Sequence, residues 1–126
     1  MKTMLVALTA IFTMLLLANY SLAQKNSNTT IKVINPIVVP NGKESEALAI
    51  WDSYAGYFSQ QPGFIGTKLH RSMDQNAKFH LINIAEWKSA EDFTRALHSE
   101  EIKKIGNGFP KDMPHYPSLY QIIRDE

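Results

Sequence analysis

The stretch "NIAEWKSAEDFTRAL", Asn83 to Leu97, decides the fold. Its first part runs apolar up to Trp87 and suits a strand. From Ala90 the apolar residues Ala90, Phe93 and Leu97 recur at three- and four-residue steps, the period of a helix. Between the two, Ser89 stands where a helix N-cap belongs, with Asp92 three residues on as its capping-box partner. The passage therefore predicts a strand that ends at Trp87 and passes at once into a helix. Trp87 raises the question of whether it fastens strand to helix or serves a site.

Upstream, "FIGTKLHRSM" and "KFHLINIAEW" flank Asp74-Gln75-Asn76-Ala77, which predicts a β-hairpin. A turn over those four residues pairs Arg71 with His80 and His70 with Leu81. One face then carries Ile65, Thr67, Leu69, Arg71, His80, Ile82, Ile84 and Glu86. The other carries Phe64, Lys68, His70, Phe79, Leu81, Asn83 and Trp87. A one-residue slip would regroup them. Neither face is purely polar, so a sheet with helices on one side needs a second cover, and another copy of the chain predicts a homodimer.

Further out, Ile31 to Val39 is β-branched and apolar, a strand in which Pro36 implies an edge or a bulge. Pro40-Asn41-Gly42 is turn chemistry. Leu48, Trp51, Ala55 and Phe58 then recur at helical spacing, with Tyr54 beside them and acidic Glu44 and Glu46 near the start. Gln61-Pro62-Gly63 ends that helix. Glu100 to Ile105 predicts a further helical turn, Gly106 to Pro117 a loop, and "SLYQIIR" a fourth strand. The order β-α-β-β-α-β predicts an α+β, ferredoxin-like sandwich over residues 31–124: an antiparallel four-stranded sheet with both helices on one face.

The chain of 126 residues opens with Lys2, an apolar run from Met4 to Ala18, and small residues Ser21 and Ala23 before Gln24. That pattern predicts a secretory signal peptide over residues 1–23, with residues 24–30 a flexible lead-in and the mature protein secreted or periplasmic. An uncleaved anchor is the competing reading; after cleavage no membrane association is expected. Losing Lys2 takes the formal charge of +1 to neutrality. Without a basic block, nucleic acid is not an expected partner. The chain has no cysteine, so packing or association must stabilise it.

Taken in order, "INPIVVPNGKE", "QPGFIGTKLHRS", "INIAEWKSAEDF" and "PSLYQIIR" resemble the antibiotic biosynthesis monooxygenase family from about Ile31 to Arg124. The resemblance implies a dimeric α+β barrel in which two sheets pack face to face. It also implies oxidation of planar phenols or quinols by molecular oxygen, without metal or flavin. A heme-degrading branch offers a test by position. Its first-strand asparagine falls on Asn35, but its helical tryptophan falls on Ala96 and its heme-ligating histidine near Gly106, with His98 well short of that place. Heme binding is thus a minor alternative, and a non-enzymatic binder of hydrophobic small molecules another.

Against that background, His70 is the candidate proton acceptor, sharing its expected face with Asn83 and Trp87. A structural histidine bonded to a backbone carbonyl is the competing reading. Arg71 could hold a phenolate or superoxide, or pair with Glu86 across the sheet. Asn35 and Asn83 could donate to a substrate oxygen. Trp51, Tyr54, Phe58 and Trp87 could line a planar ligand, or simply be core. His115, in "MPHYP", could gate a pocket. The four histidines, His70, His80, His98 and His115, show no metal-ligand spacing, so no metal site is expected.

Overall fold

The computed structural model describes residues 30–105 and 108–126. The segment expected to be a signal peptide, all but the last residue of the expected lead-in, and Gly106 lie outside them. The elements are β1 (Ile31–Ile37), α1 (Glu44–Phe58), β2 (Phe64–Arg71), β3 (Leu81–Trp87), α2 (Ala90–Leu97), α3 (Glu100–Lys104) and β4 (Ser118–Tyr120). The sheet order is β2-β3-β1-β4 and every neighbouring pair is antiparallel, which is the ferredoxin-like arrangement expected. No helix among the described residues is long and apolar enough to cross a membrane.

The junction at Trp87 forms as the sequence predicts. The Ser89 hydroxyl accepts from the Asp92 backbone N–H at 3.1 Å and donates to the Asp92 carboxylate at 3.0 Å, satisfying a helix-end donor that would otherwise lack a partner. Gly63, with φ +86°, tucks against this cap: a Cβ there would lie 2.3 Å from an Asp92 carboxylate oxygen. The "QPGF" turn thus needs glycine for its backbone angle and for its neighbour alike.

The hairpin register corrects the sequence reading. Arg71 pairs with Leu81, His70 with Ile82, Leu69 with Asn83 and Thr67 with Ala85. The ladder also shifts between Phe64 and Gly66, leaving Ile65 as an extra residue. Phe64, Thr67, Leu69, Leu81, Asn83, Ala85 and Trp87 therefore share the helix-side face. Lys68 and His70 share the outer face with Ile82, Ile84 and Glu86. The one-residue slip arises because the Ser72 N–H reaches the His80 carbonyl at 2.8 Å, so the link is longer than the four-residue turn assumed.

Two other expectations change. β1 is an inner strand, not an edge, and Pro36 shows no bulge in its pairing with β3. Its carbonyl accepts from the Tyr116 N–H at 3.0 Å, so its missing N–H faces the irregular Pro114–Tyr116 strap, where one absent bond is tolerated. The fourth strand covers only Ser118–Tyr120. It pairs on one side alone, and Ile122 and Ile123 beyond it are exposed.

The core forms two clusters. Ile31, Val33, Ala85, Trp87 and Ala96 make one, packed by Phe58, Phe64 and Phe93. Ile37, Ala47, Leu81 and Met113 make the other, packed by Leu48, Leu69 and Phe109. Along the β1–β3 ladder the row between them is Asn35 opposite Asn83. Two asparagines interrupt an otherwise apolar interior.

Candidate functional site

That interruption opens into a cavity of about 290 Å³ between the helices and the inner face of the sheet. Val33, Asn35, Thr67, Asn83 and Ala85 form its floor, and Trp51, Tyr54, Ala55 and Phe58 of α1 its roof. Trp87 and Phe93 close one end, while Phe109 and His115 stand at another. The volume lies near the lower bound of small-molecule pockets, about 300 Å³. Its walls are mostly apolar and aromatic.

Each wall has a local cause. Helical spacing brings Trp51, Tyr54 and Phe58 onto the sheet-facing side of α1. Trp87 is only 1% exposed and meets Phe58, Phe64 and Phe93 with ring centroids 5.8, 5.4 and 5.5 Å away, all steeply inclined. Tyr57, on a neighbouring side of α1, is a strut: its hydroxyl donates to the Ala96 carbonyl at 2.7 Å and also meets the Ser99 hydroxyl. The strap bearing His115 is held by buried Met113 and by two backbone bonds to β1, Val38 N–H to Pro114 and Tyr116 N–H to Pro36. His115 bridges to Ile37, is exposed at the rim, and lies 5.2 Å from the Phe109 ring.

The polar floor is unevenly bonded. The Asn83 side-chain oxygen accepts from the Trp51 indole N–H at 3.0 Å and from the Thr67 hydroxyl at 2.7 Å. The Asn35 side-chain oxygen is buried and makes no hydrogen bond among the described residues. An amide left so costs about 1–3 kcal/mol, which a fold without another use for the residue would avoid.

Of the candidate site residues, Asn35, Asn83, Trp51, Tyr54, Phe58, Trp87 and His115 all border this cavity. His70 does not. It lies on the outer face, exposed, with Nδ1 3.2 Å from the Ile82 carbonyl, the structural alternative weighed for it. Arg71 stands at the far end of the hairpin and binds Glu44 through Nε at 3.1 Å and through a second, shorter contact. His80 Nε2 is 2.5 Å from the same carboxylate. Glu86 pairs instead with Lys32, at 2.5 Å. The Arg71 guanidinium and then His80 hold the Glu44 carboxyl below its ordinary range, and Glu44 in turn raises Arg71. This exposed cluster lies apart from the cavity.

Thr67 was missed by sequence reasoning. The assumed register set it on the face opposite Asn83, and the observed pairing of Thr67 with Ala85 and of Leu69 with Asn83 brings them onto one face. Ala96 is buried among the core residues rather than beside the cavity, and His98 is exposed with Nδ1 2.7 Å from the Thr94 carbonyl. Of the positions compared with the heme-degrading branch, Asn35 borders the cavity, Ala96 does not, and Gly106 lies outside the described residues. Among those residues no group of three or more His, Asp or Glu is placed to hold a metal ion.

A ferredoxin-like sheet with an aromatic-lined cavity beneath its helices defines a class of small α+β proteins. Comparison with known proteins narrows it. A model of the antibiotic biosynthesis monooxygenase family matches residues 30–107. A protein of Shewanella loihica PV-4 provisionally assigned as a monooxygenase is 35% identical, over 77% of this chain and 97% of its own, with a TM-score of 0.68. SnoaB of Streptomyces nogalater, a cofactor-independent oxygenase, is 22% identical over 77% of this chain and 96% of its own, with a TM-score of 0.66. The heme-degrader MhuD of Mycobacterium tuberculosis shares the fold at 20% identity, over 76% and 98%, with a TM-score of 0.58. Comparison with curated proteins finds no match. The chain belongs to the antibiotic biosynthesis monooxygenase family.

Proposed function

We propose that the protein is an exported, homodimeric oxygenase that oxidises a planar phenolic or quinol-type molecule with molecular oxygen and without a bound cofactor. The observation that carries this reading is the apolar cavity whose floor is broken by Asn35 and Asn83, one with a buried oxygen lacking any partner. Such a site accepts flat rings against Trp51, Tyr54, Phe58 and Trp87 and sets polar groups against the ring oxygens.

An anthrone illustrates the balance. Its ring-flanked CH₂ gives up two hydrogens and gains one oxygen atom, becoming C=O. The second atom of O₂ leaves with those hydrogens as water. The substrate supplies all four electrons, so no external reductant is required. The protein's share is to favour the anion that passes its first electron to oxygen, and to exclude water around it. Because His70 lies on the outer face, the acceptor role in this reading falls to His115, which borders the cavity.

The outer sheet face supports the homodimer in this reading. Ile34, Ile82 and Ile84 are only half-buried there, Ile65 is 49% exposed, and Ile122 and Ile123 near the C-terminus are exposed as well. Light scattering on the protein from Gln24 onward should give twice the chain mass, and N-terminal sequencing of the protein from its native host should begin at Gln24. For the reaction, oxygen uptake is measured with anthrone and 1,5-dihydroxynaphthalene. Substrate-dependent uptake yielding one quinone per O₂ supports the oxygenase. Tight binding without uptake makes the protein a binding module, and a saturable Soret shift on titrating hemin would favour heme instead.

A further inference from the structure

We infer that Trp51 and Thr67 are positioning residues that fix the polarity of the Asn83 amide, making Asn83 an obligate hydrogen-bond donor to an anionic or carbonyl oxygen in the cavity. The inference rests on the cavity being the ligand site proposed above, and it specifies what that site recognises.

An indole N–H can only donate. The Asn83 atom 3.0 Å from Trp51 Nε1 must therefore be the amide oxygen. The Thr67 hydroxyl, 2.7 Å from that same oxygen, must turn its proton toward it, since an amide oxygen has none to give. Among the described residues the competing acceptor for that proton, the Ile84 carbonyl, is farther away at 3.5 Å. Two donors thus occupy both acceptor positions of one oxygen. Turning the amide over would set its NH₂ against the indole N–H, which can only donate, and forfeit that bond. The orientation is fixed by chemistry, where an amide with no partners would leave it open.

Two consequences follow. The Asn83 oxygen has no acceptor capacity left for a ligand, so Asn83 cannot take a substrate proton or bind a hydroxyl as an acceptor. Its NH₂ makes no hydrogen bond among the described residues and belongs to a side chain that borders the cavity. Asn35, opposite it on the ladder, is the contrast: its oxygen has no partner, so nothing comparable fixes its amide. The cavity floor thus holds one amide locked as a donor and one free to adapt. A phenol bound with its oxygen at Asn83 is stabilised in its ionised form, because hydrogen bonds to a charged oxygen are the stronger kind.

The test uses 4-nitro-1-naphthol, whose neutral and ionised forms absorb at different wavelengths. It is titrated with pH, free and bound to the intact protein, with Thr67→Val, Thr67→Ser and Trp51→Phe alongside. The expected result is a lower ionisation midpoint for the probe when bound to wild type. Thr67→Val and Trp51→Phe should each reduce the preference for the ionised form by about tenfold, as expected for loosening a hydrogen bond to a charged group. Thr67→Ser, which restores the hydroxyl, should retain it. Circular dichroism confirms that each variant is folded. An unshifted midpoint in wild type, a full shift in Thr67→Val, or failure of the probe to bind would each overturn the inference. Oxygen uptake with anthrone is scored separately, so a site that lowers the midpoint without turning over refutes the oxygenase and leaves the positioning role standing.

Discussion

Replacing Gly63 by alanine tests the junction between the "QPGF" turn and the second helix. At φ +86° an alanine costs about 1–2 kcal/mol in backbone strain alone. Its Cβ would also sit 2.3 Å from an Asp92 carboxylate oxygen and 2.4 Å from both Cβ and Cγ of Asp92. Because the Asp92 Cβ is itself in the way, no side-chain rotation clears the clash, and the start of α2 must move. That movement loosens the Ser89 cap, at about 1 kcal/mol. The expected destabilisation is therefore about 2–4 kcal/mol, read as a fall in the urea midpoint at constant m-value. A double-mutant cycle isolates the steric part. Asp92→Gly removes all three clashing atoms, so the cycle Gly63→Ala with Asp92→Gly should show a favourable coupling of about 1 kcal/mol or more. Asp92→Ala keeps the offending Cβ and should show much less. A single-variant cost below about 1 kcal/mol, or additivity within about 0.5 kcal/mol in the glycine cycle, would refute the reasoning.

Trp87→Phe removes part of a side chain that three rings surround, and should cost about 1–3 kcal/mol while leaving the protein folded, measured by the same urea titration. His70→Gln should leave oxygen uptake within about twofold of wild type, whereas His115→Gln should lower kcat by about tenfold or more, on the order of the contribution of a general base, measured with the same substrates. Tyr57→Phe strands the Ala96 carbonyl and should cost about 1–3 kcal/mol, read as a fall of roughly 4–20 °C in Tm. Glu44 has a folded-state pKa depressed by Arg71 and His80, so its contribution to stability is present above the ordinary carboxylate value of about 4.3 and is lost as pH falls through the lower folded value. Urea midpoints below about pH 4.5 should therefore fall less steeply in Glu44→Gln than in wild type.

The elements were legible because their signals are local. A cap such as Ser89 with Asp92, a helical period such as Leu48 to Phe58, and a breaker such as Pro62-Gly63 each lie within a few residues. The site was less legible, because it depends on register. Both faces of the hairpin carry isoleucines and leucines, so hydrophobic alternation could not choose between two pairings one residue apart. The sequence also gives no sign that Ile65 is an extra residue. The register ambiguity alone set His70 on the face of Asn83, whereas the ladder sets them on opposite faces. The meeting of Asn35 with Asn83 depends on pairing between strands that are distant in the chain. The bonds from Trp51 and Thr67 to Asn83 join three separate elements, beyond the reach of any local pattern.

Trp87 therefore does not face a choice between fastening the fold and serving the site. Its ring packs against Phe58, Phe64 and Phe93 and also borders the cavity. Rings held in that way cannot easily collapse into the space beside them, and a cavity wall needs that rigidity to stay open without a ligand. The asparagine row supplies the complementary condition. With apolar residues at Asn35 and Asn83, the two core clusters would be free to merge across the floor. Polar side chains keep them apart, at the cost of the unbonded Asn35 oxygen. The rigid aromatic wall and the polar row together keep open a site that packing alone would tend to fill.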